Sequence, residues 1–324
     1  MTGNNTISSI LKKIKSSKRS LVLSHQNPDG DTLGSMLAMG AILKKSGHIV
    51  DHVISDPVPV IYKFLPYTDL VKIPEDSTLQ KNYDLAFSLD CGSLKRLGKA
   101  KDLWHKANTT INIDHHISNE MFGKINCIDP EAVSTGQVVY TVAKQLKIKI
   151  TKEVATLLYT TLLTDTGCFS NSKTNETALS WGAELIKFGA EHESIYRKAF
   201  LERPFKAIKI FGSALKDCIL IKKGQVMWTC VNKDSMKKLN ATSEDTEDIV
   251  DYMARTKDVR ICVFFREDKN GTKVSLRAND DTDVSKIASL FGGGGHKKAA
   301  GINMSYPLEK AKDMILKKIQ EELK

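Results

Sequence analysis

Apolar and polar positions follow two alternating patterns along the first part of the chain. Short apolar runs, typical of buried strands, alternate with segments whose apolar residues recur at helical spacing. The runs predict strands at Leu21–Leu23, Ile49–Ile54, Leu85–Leu89 and Thr110–Ile113. The helical spacing predicts helices over residues 32–45, 135–146, 153–163 and 175–188, after a short basic helix that ends at Lys18. Because strands alternate with helices, we expect a parallel sheet with helices on both faces.

From about residue 212 onwards the pattern is that of hairpins and separate helices. Strand-like runs flank turn signals at Lys223-Gly224 and Asn270-Gly271, which predict two hairpins. Helical spacing recurs over residues 245–256, 284–290 and 307–322. We therefore predict an α/β protein in three parts: an N-terminal parallel-sheet domain (1–188), a helical connector (189–212) and a smaller C-terminal α+β domain (213–324).

The composition is that of an ordinary globular protein, with 41% hydrophobic and 27% charged residues among 324. The net charge of +10 suits acidic partners such as phosphates or nucleic acid. However, the basic residues are spread over both predicted domains and form no tail. A lysine-rich surface explains the charge equally well, so charge alone favours a nucleic-acid partner only weakly.

The six cysteines are widely spaced and form no C-x-x-C pair, which argues against a zinc ribbon or a thioredoxin-type site. Such spacing in a long chain is typical of reduced thiols in a cytoplasm. The segment Met1–Ser20 is polar and lysine-rich, unlike a signal peptide, and no apolar run approaches the length of a membrane span. We expect a cytoplasmic protein that does not contact a membrane.

Four clusters of acidic and histidine residues follow predicted elements of the N-terminal half. They contain His25, Asp29 and Asp31; Asp90; Asp114, His115 and His116; and Asp165. Each cluster alone could be a polar turn or a helix cap. Together they are more specific, because the strand ends of an open α/β sheet form a ligand crevice. Carboxylates with imidazole suit Mn²⁺ or Mg²⁺, and several segments are needed to supply the ligands of a site for two ions.

A glycine-rich segment, Phe291–Gly301, follows the predicted helix 284–290 and contains four consecutive glycines before His296 and Lys297. It matches neither a dinucleotide fingerprint nor a P-loop, since both of those lead from a strand into a helix. Glycines allow backbone N–H groups to approach an anion closely. The segment therefore predicts an anion-binding loop, with a flexible connector as the alternative.

The four N-terminal clusters, in this order and spacing, resemble the DHH phosphoesterase family over about residues 15–320. That family includes family II inorganic pyrophosphatases, RecJ-type exonucleases and oligoribonucleases that degrade very short RNA, called nanoRNA. The resemblance implies two divalent ions, with Mn²⁺ as the first choice and Mg²⁺ as the alternative. The ligands that it implies are His25, Asp29 and Asp90 for one ion, and Asp31, Asp90, His115 and Asp165 for the other. Asp90 would bridge the ions.

The resemblance also implies roles beyond metal binding. His116 would face the substrate phosphate, and Asp114 would orient His115. The glycine-rich segment is similar to the substrate-binding domain that accompanies many DHH domains. The substrate-binding residues that this similarity implies are Ser275, Arg277, Gly293, Gly294, Gly295 and His296. Arg260 is a weaker candidate than Arg277 for the arginine on a nearby strand.

Within the family, the compact nanoRNase type fits best. Pyrophosphatases carry a C-terminal Ser-Arg-Lys-Lys signature, which this sequence lacks. RecJ-type enzymes are longer, and membrane-bound cyclic-dinucleotide phosphodiesterases carry N-terminal spans. We expect short RNA oligonucleotides as substrates, together with 3′-phosphoadenosine 5′-phosphate. The alternatives are a linear or cyclic dinucleotide phosphodiesterase and a non-catalytic nucleotide-binding regulator. The sequence leaves the oligomeric state open, a homodimer included.

Overall fold

The computed structural model describes residues 7–323. The chain divides into two compact units, Met1–Glu202 and Arg203–Lys324. The division lies inside the segment 189–212 that the sequence predicts as a connector, and the predicted domain bounds stay a prediction. The first part of the polar N-terminal segment, residues 1–6, lies outside the described residues. Among the described helices, none has both the length and the apolar character needed to cross a bilayer.

Within the described residues, the N-terminal unit contains a six-stranded sheet in the order β3-β2-β1-β4-β5-β6, and all neighbouring strands are parallel. Its strands are β1 (Arg19–Ser24), β2 (Ile49–Val53), β3 (Val71–Lys72), β4 (Leu85–Leu89), β5 (Thr109–Asp114) and β6 (Ile125–Ile128). Its helices are α1 (Ile7–Lys15), α2 (Gly30–Lys45), α3 (Lys101–His105), α4 (Thr135–Gln145), α5 (Lys152–Asp165), α6 (Glu176–Lys187) and α7 (His192–Tyr196). Short 3-10 helices occur at Val60–Tyr62, Thr68–Leu70 and Leu94–Ala100, and a π-helical segment at Arg197–Leu201.

Side chains from the strands pack on both faces of this sheet. Val22 and Phe87 point into the larger core, which α1, α2, α4 and α5 cover. Leu23 and Ala86 point to the opposite face, where Trp104 of α3 packs. Residues of α2 from Gly30 to Leu43 are buried all round, because this helix lies between the sheet and α5. The predicted α/β class with a parallel sheet covered on both faces is confirmed.

The chain order of the strands reverses direction between β1 and β4. From β1 the chain moves outward to β2 and β3, and it then returns to the other side of β1 to form β4, β5 and β6. In an open parallel sheet, such a reversal creates a crevice beyond the carboxyl ends of the two central strands. The sequence missed the edge strands β3 and β6, since segments of two and four residues carry too little periodicity.

Up to Leu323, the C-terminal unit contains a second six-stranded sheet in the order β11-β12-β10-β9-β8-β7. Its strands are β7 (Ile219–Ile221), β8 (Val226–Val231), β9 (Ile261–Asp268), β10 (Gly271–Ala278), β11 (Gly294–His296) and β12 (Ala299–Met304). Its helices are α8 (Phe205–Lys216), α9 (Lys233–Lys238), α10 (Ile249–Met253), α11 (Val284–Ser289) and α12 (Leu308–Glu322), with a 3-10 helix at Glu244–Thr246. Only the β8–β9 pair is parallel among these strands. Both predicted hairpins are present.

Two expectations for this unit are wrong. The helix predicted over 245–256 is split into a 3-10 turn, Glu244–Thr246, and the short α10, which begins at Ile249. The Ser243 carbonyl before the 3-10 turn accepts hydrogen bonds from the side chains of Thr246 and Arg266. The glycine-rich segment is not wholly a loop either. Gly294–His296 pairs with β12 as an edge strand, since glycines let two backbones approach closely.

Candidate active site

All four sequence clusters meet at the crevice of the N-terminal sheet, three of them at strand ends and Asp165 at the end of α5. His25 follows β1, Asp90 follows β4, and Asp114 ends β5, and these three strands are neighbours. Asp90 has a left-handed backbone (φ 55°), a conformation that aspartate tolerates better than most residues. The parallel pairing of β1, β4 and β5 therefore brings side chains that are distant in sequence to one edge of the sheet.

The first group of potential metal ligands consists of His25, Asp29 and Asp90, with ligand atoms within 4.8 Å of one another. The His25 Nε2 atom lies 3.7 Å from Oδ2 of Asp90. The hydroxyl of Thr32 lies 2.7 Å from the same His25 nitrogen and donates to Asp90 Oδ2 at 2.9 Å. Asp29 caps α2 by accepting from the backbone N–H of Thr32 at 2.9 Å. Thr32 thus links all three residues, a role for which the sequence carries no separate signal.

The second group consists of Asp31, His115 and Asp165. His115 Nε2 lies 3.0 Å from Asp165 Oδ2 and 3.7 Å from Asp31 Oδ2. The backbone N–H groups of Thr135 and Gly136, at the start of α4, donate to Asp31 at 2.8 and 3.1 Å. These donors hold the Asp31 carboxylate in place, as helix N-termini commonly hold anions.

The third group consists of Asp90, Asp114, His115 and His116, so Asp90 belongs to two groups and His115 to two. Asp90 Oδ1 lies 3.7 Å from His116 Nδ1 and accepts from the Thr135 hydroxyl at 3.0 Å. This central carboxylate is 2% exposed. The structure therefore brings the six predicted metal ligands together around Asp90, although their binding of metal stays a prediction.

The expectation that Asp114 orients the His115 ring is wrong. The Nδ1 atom of His115 lies 3.2 Å from the Ala132 carbonyl, whereas Asp114 Oδ1 lies 2.7 Å from Nδ1 of His116. Asp114 contacts His115 only through the backbone N–H, at 2.7 Å. Residue spacing could not separate these alternatives, because two adjacent histidines in a turn point in different directions.

The electrostatics of the site suit the binding of cations. Burial of Asp31, together with the neighbouring Asp90 carboxylate, raises its pKa well above the ordinary value. Desolvation and the Asp90 carboxylate also raise the pKa of Asp29, although that residue is the more exposed of the two. Although burial opposes its ionisation, hydrogen bonding to His115 keeps the pKa of Asp165 below its ordinary value. Buried carboxylates at such short separations are costly unless cations compensate them. A donor set of carboxylates with two imidazoles therefore fits divalent cations.

The predicted substrate-binding residues lie in the C-terminal unit, and Ser275, Arg277, Gly294 and His296 lie on one face of its sheet. In the strand register, Arg277 is opposite Ala299, which is opposite His296. Ser275 is likewise opposite Gly301, which is opposite Gly294. Since directly paired residues point to the same side, these two rows share a face. Ser275 and Arg277 also line a depression of about 350 Å³, together with Arg266, Lys273, Glu247 and Asp251.

The three glycines of the segment differ in their surroundings. A Cβ atom added to Gly293 or Gly295 would lie 2.4 Å from the carbonyl oxygen of Gly301 or Ala299, so strand pairing requires both glycines. A Cβ on Gly294 would meet no atom within 4 Å, so the space beside its Cα atom is open. Arg260, the weaker candidate, pairs with Asp280 and lies near the Thr282 hydroxyl. These contacts favour the interpretation of Arg260 as a plain charge at a strand end instead of a substrate contact.

Two family models match the chain, and they divide it as the two sheets do. Residues 19–162 match the DHH family, N-terminal domain, and residues 224–324 match the DHHA1 domain. A protein of Thermus thermophilus named "Bifunctional oligoribonuclease and PAP phosphatase NrnA" is 30% identical, over 93% of this chain and 89% of its own length. A protein of the same name from Bacillus subtilis is 23% identical, over 86% and 87%.

A solved structure shows the same fold. The crystal structure of an exopolyphosphatase-related protein from Bacteroides fragilis superposes with a TM-score of 0.91. The two proteins are 26% identical, and the match covers 98% of this chain and 95% of the other. With the resemblance that its motifs carry thus confirmed over nearly its whole length, the chain belongs to the DHH family of phosphoesterases.

Proposed function

We propose that this protein is a metal-dependent phosphodiesterase that degrades very short RNA to mononucleotides. One observation carries the proposal: six acidic and histidine side chains from distant parts of the chain converge around the buried Asp90. Phosphate esters are hydrolysed at such sites, because two cations held about 4 Å apart stabilise both the attacking and the leaving oxygen. The relatives named oligoribonuclease support very short RNA as the substrate.

The proposal assigns two divalent ions to this site. His25, Asp29 and Asp90 would hold one ion, and Asp31, Asp90, His115 and Asp165 the other. We propose Mn²⁺ rather than Mg²⁺, since Mg²⁺ is usually bound through oxygen ligands and both groups contain an imidazole. When bound, the ions would supply Lewis acidity that offsets the charge developing on the phosphate.

His116 is the proposed acid–base residue. Its side chain is 41% exposed, so a substrate can reach it, and its hydrogen bond to Asp114 raises its pKa. A protonated imidazole can donate its proton to the leaving oxygen as the P–O bond breaks. The attacking water forms the new bond to phosphorus and releases a proton to bulk water. The bond to the leaving oxygen breaks, and the nucleotide leaves with the proton from His116, which bulk water then restores.

In the C-terminal unit we assign substrate contacts to Ser275, Arg277, His296 and the backbone of Gly294. Arg277 is held by Asp251, with Nε to Oδ1 at 2.6 Å and Nη2 to Oδ2 at 3.1 Å. An arginine fixed in this way presents its remaining N–H groups in one orientation, which suits recognition of a phosphate. The roles of Gly293 and Gly295 would be indirect, through the strand pairing that exposes Gly294.

A second activity, removal of the 3′-phosphate from 3′-phosphoadenosine 5′-phosphate, is part of the proposal. It needs the same hydrolysis of a phosphate ester, and the relatives' names include it.

We further propose a cytoplasmic location, since within residues 7–323 all six cysteines are free thiols. A homodimer is the proposed assembly, and light scattering of the purified protein measures it directly.

The test is a hydrolysis assay of the purified protein with RNA of 2 to 24 nucleotides and with 3′-phosphoadenosine 5′-phosphate. We expect the highest kcat/KM for the shortest RNA in Mn²⁺, and no activity with a chelator. Asp90→Asn keeps the shape of the side chain but should lower the rate by at least about a thousandfold, since it weakens both metal groups. Equal kcat/KM for the 24-mer and the dinucleotide would instead favour a processive exonuclease. Binding without hydrolysis would favour a nucleotide-binding regulator.

A further inference from the structure

Asn119 lies in the turn after β5, close to the cluster that contains Asp114, His115 and His116. Its amide nitrogen donates to Asp114 Oδ2 at 2.5 Å and to the Cys91 carbonyl at 3.1 Å. Its amide oxygen accepts from the backbone N–H of Met121 at 2.7 Å and from the Asn112 side chain at 3.1 Å. Both N–H groups and both lone pairs of the amide are therefore engaged.

These hydrogen bonds connect the ends of two neighbouring strands. Cys91 directly follows Asp90 at the end of β4, and Asp114 is the last residue of β5. A backbone bond from Glu120 N–H to the Gly92 carbonyl, at 2.8 Å, joins the same two segments. Asn119 thus lies where the segment carrying the central carboxylate meets the segment carrying the histidines.

The Asp114 carboxylate is shared between Asn119 and His116. Its Oδ1 atom lies 2.7 Å from the His116 ring and accepts the backbone N–H of His115, whereas Oδ2 accepts from Asn119. Asp114 is fully buried, so both oxygens need donors. With Oδ2 held by Asn119, the carboxylate cannot rotate, and Oδ1 remains directed at the His116 ring.

We infer that Asn119 is a positioning residue, which acts on the reaction by fixing Asp114 and through it the His116 imidazole. The inference rests on the role of His116 in the proposed function. An amide is the required group, because an aspartate at this position would bring two carboxylates into contact. An apolar residue would leave a buried carboxylate oxygen without a partner, which is costly.

The kinetic test is a double-mutant cycle between Asn119→Ala and His116→Gln. Asn119→Ala should lower kcat about 10- to 100-fold, as losses of supporting hydrogen bonds commonly do, with KM and Mn²⁺ content unchanged. In the His116→Gln background the same change should have less than about a threefold effect, since the ring it positions is gone. Full additivity of the two effects would overturn the inference.

Asn126→Ala is the matched control. Asn126 also makes two side-chain hydrogen bonds, to the N–H and the carbonyl of Gly123, but none to the site. It should retain wild-type kcat. Asn119→Asp keeps the size of the side chain and should be at least as damaging as Asn119→Ala, whereas wild-type activity of Asn119→Asp would contradict the need for a donor.

A measurement without substrate separates this inference from the proposed function. In ¹H–¹⁵N NMR spectra of the imidazoles, His116 should show a Nδ1-bound proton shifted downfield by its hydrogen bond to Asp114. Asn119→Ala should shift or broaden that signal and leave the His48 ring unchanged, because His48 is held by Ser20 and the Ile14 carbonyl instead. An unchanged His116 signal would overturn the positioning role even in an active enzyme. A changed signal in a protein that hydrolyses no substrate would support the positioning and reject the proposed function.

Discussion

Lys173 is a cation already present at the candidate metal site. Its Nζ atom lies 2.8 Å from Oδ2 of Asp165, the same oxygen that lies 3.0 Å from His115. Any ion that binds Asp165 must compete with this ammonium group. The exposed part of the lysine lets it move away, so the competition should be modest.

Replacing Lys173 by methionine should therefore strengthen metal binding. We expect Lys173→Met to lower the Kd for Mn²⁺ up to about fivefold, the range of an exposed ion pair. Isothermal titration calorimetry of the metal-free protein measures this without substrate. Lys187→Met, at the exposed end of α6, is the control for the loss of one positive charge. Weaker Mn²⁺ binding by Lys173→Met than by the control would mean that Lys173 supports the site instead of competing.

His52 lies outside the candidate metal site and is buried in β2. Neither of its ring nitrogens has a hydrogen-bond partner among the described residues. Burial, assisted by the nearby Lys44, lowers its pKa to about 4. In the unfolded chain the pKa is about 6.5. As the pH falls below 6.5, the unfolded chain binds a proton that the folded protein does not bind. The stability due to this difference is complete above pH 6.5 and is lost as the pH falls towards 4.

We predict that the free energy of unfolding of the N-terminal unit falls by about 2 kcal/mol between pH 7.5 and pH 5 through His52 alone. Urea denaturation of the metal-free wild type and of His52→Leu at both pH values isolates this contribution. The leucine variant should lack that part of the pH dependence. An identical loss in both proteins would show that His52 is protonated or solvated in the folded state.

At the scale of elements, strand β10 places the proposed substrate-binding residue Arg277 on the face that points away from the core formed by Val274 and Leu276. Its alternate residues Lys273, Ser275 and Arg277 line the depression on one face, while Val274 and Leu276 pack into the core on the other. Arg277 can thus be changed without disturbing the core. Its partner Asp251 is 54% exposed in its side chain, so losing the pair should cost little stability.

Arg277→Ala should raise KM for dinucleotides about tenfold or more with Mn²⁺ content intact, because a charge-assisted contact to phosphate is lost. Steady-state kinetics and metal analysis of the same sample test both parts. Arg255→Ala, which removes an arginine that lies over the Tyr252 ring, is the matched control. Loss of bound metal from Arg277→Ala, or an equal rise in KM for the control, would argue against a substrate contact.

At the scale of the whole molecule, the apolar pattern of the sequence predicted the strands and helices that depend mainly on neighbouring residues. Strand β4 and helix α2 follow from apolar spacing, and the positions of His25 and Asp90 after strands follow from where such runs end. The pairing of Asp114 with His116 could not be predicted, because it depends on how Asn119 folds back onto the strand end. The segment of β11 was likewise predicted as a loop, since among residues 7–323 it pairs with β12 alone.

The wide separation of the metal-binding candidates along the chain has a consequence for the order of events in folding. They extend from His25 to Asp165, and they meet only after β4 has inserted beside β1, a non-local pairing of parallel strands. Such contacts form late and slowly. An ion therefore has no site in the unfolded chain and cannot act as a folding nucleus. It binds only after the sheet has assembled.

We expect Mn²⁺ to slow unfolding and to leave the refolding rate unchanged within about twofold. Stopped-flow refolding with Mn²⁺ or chelator decides this, and faster refolding in Mn²⁺ would mean that part of the site forms in the transition state.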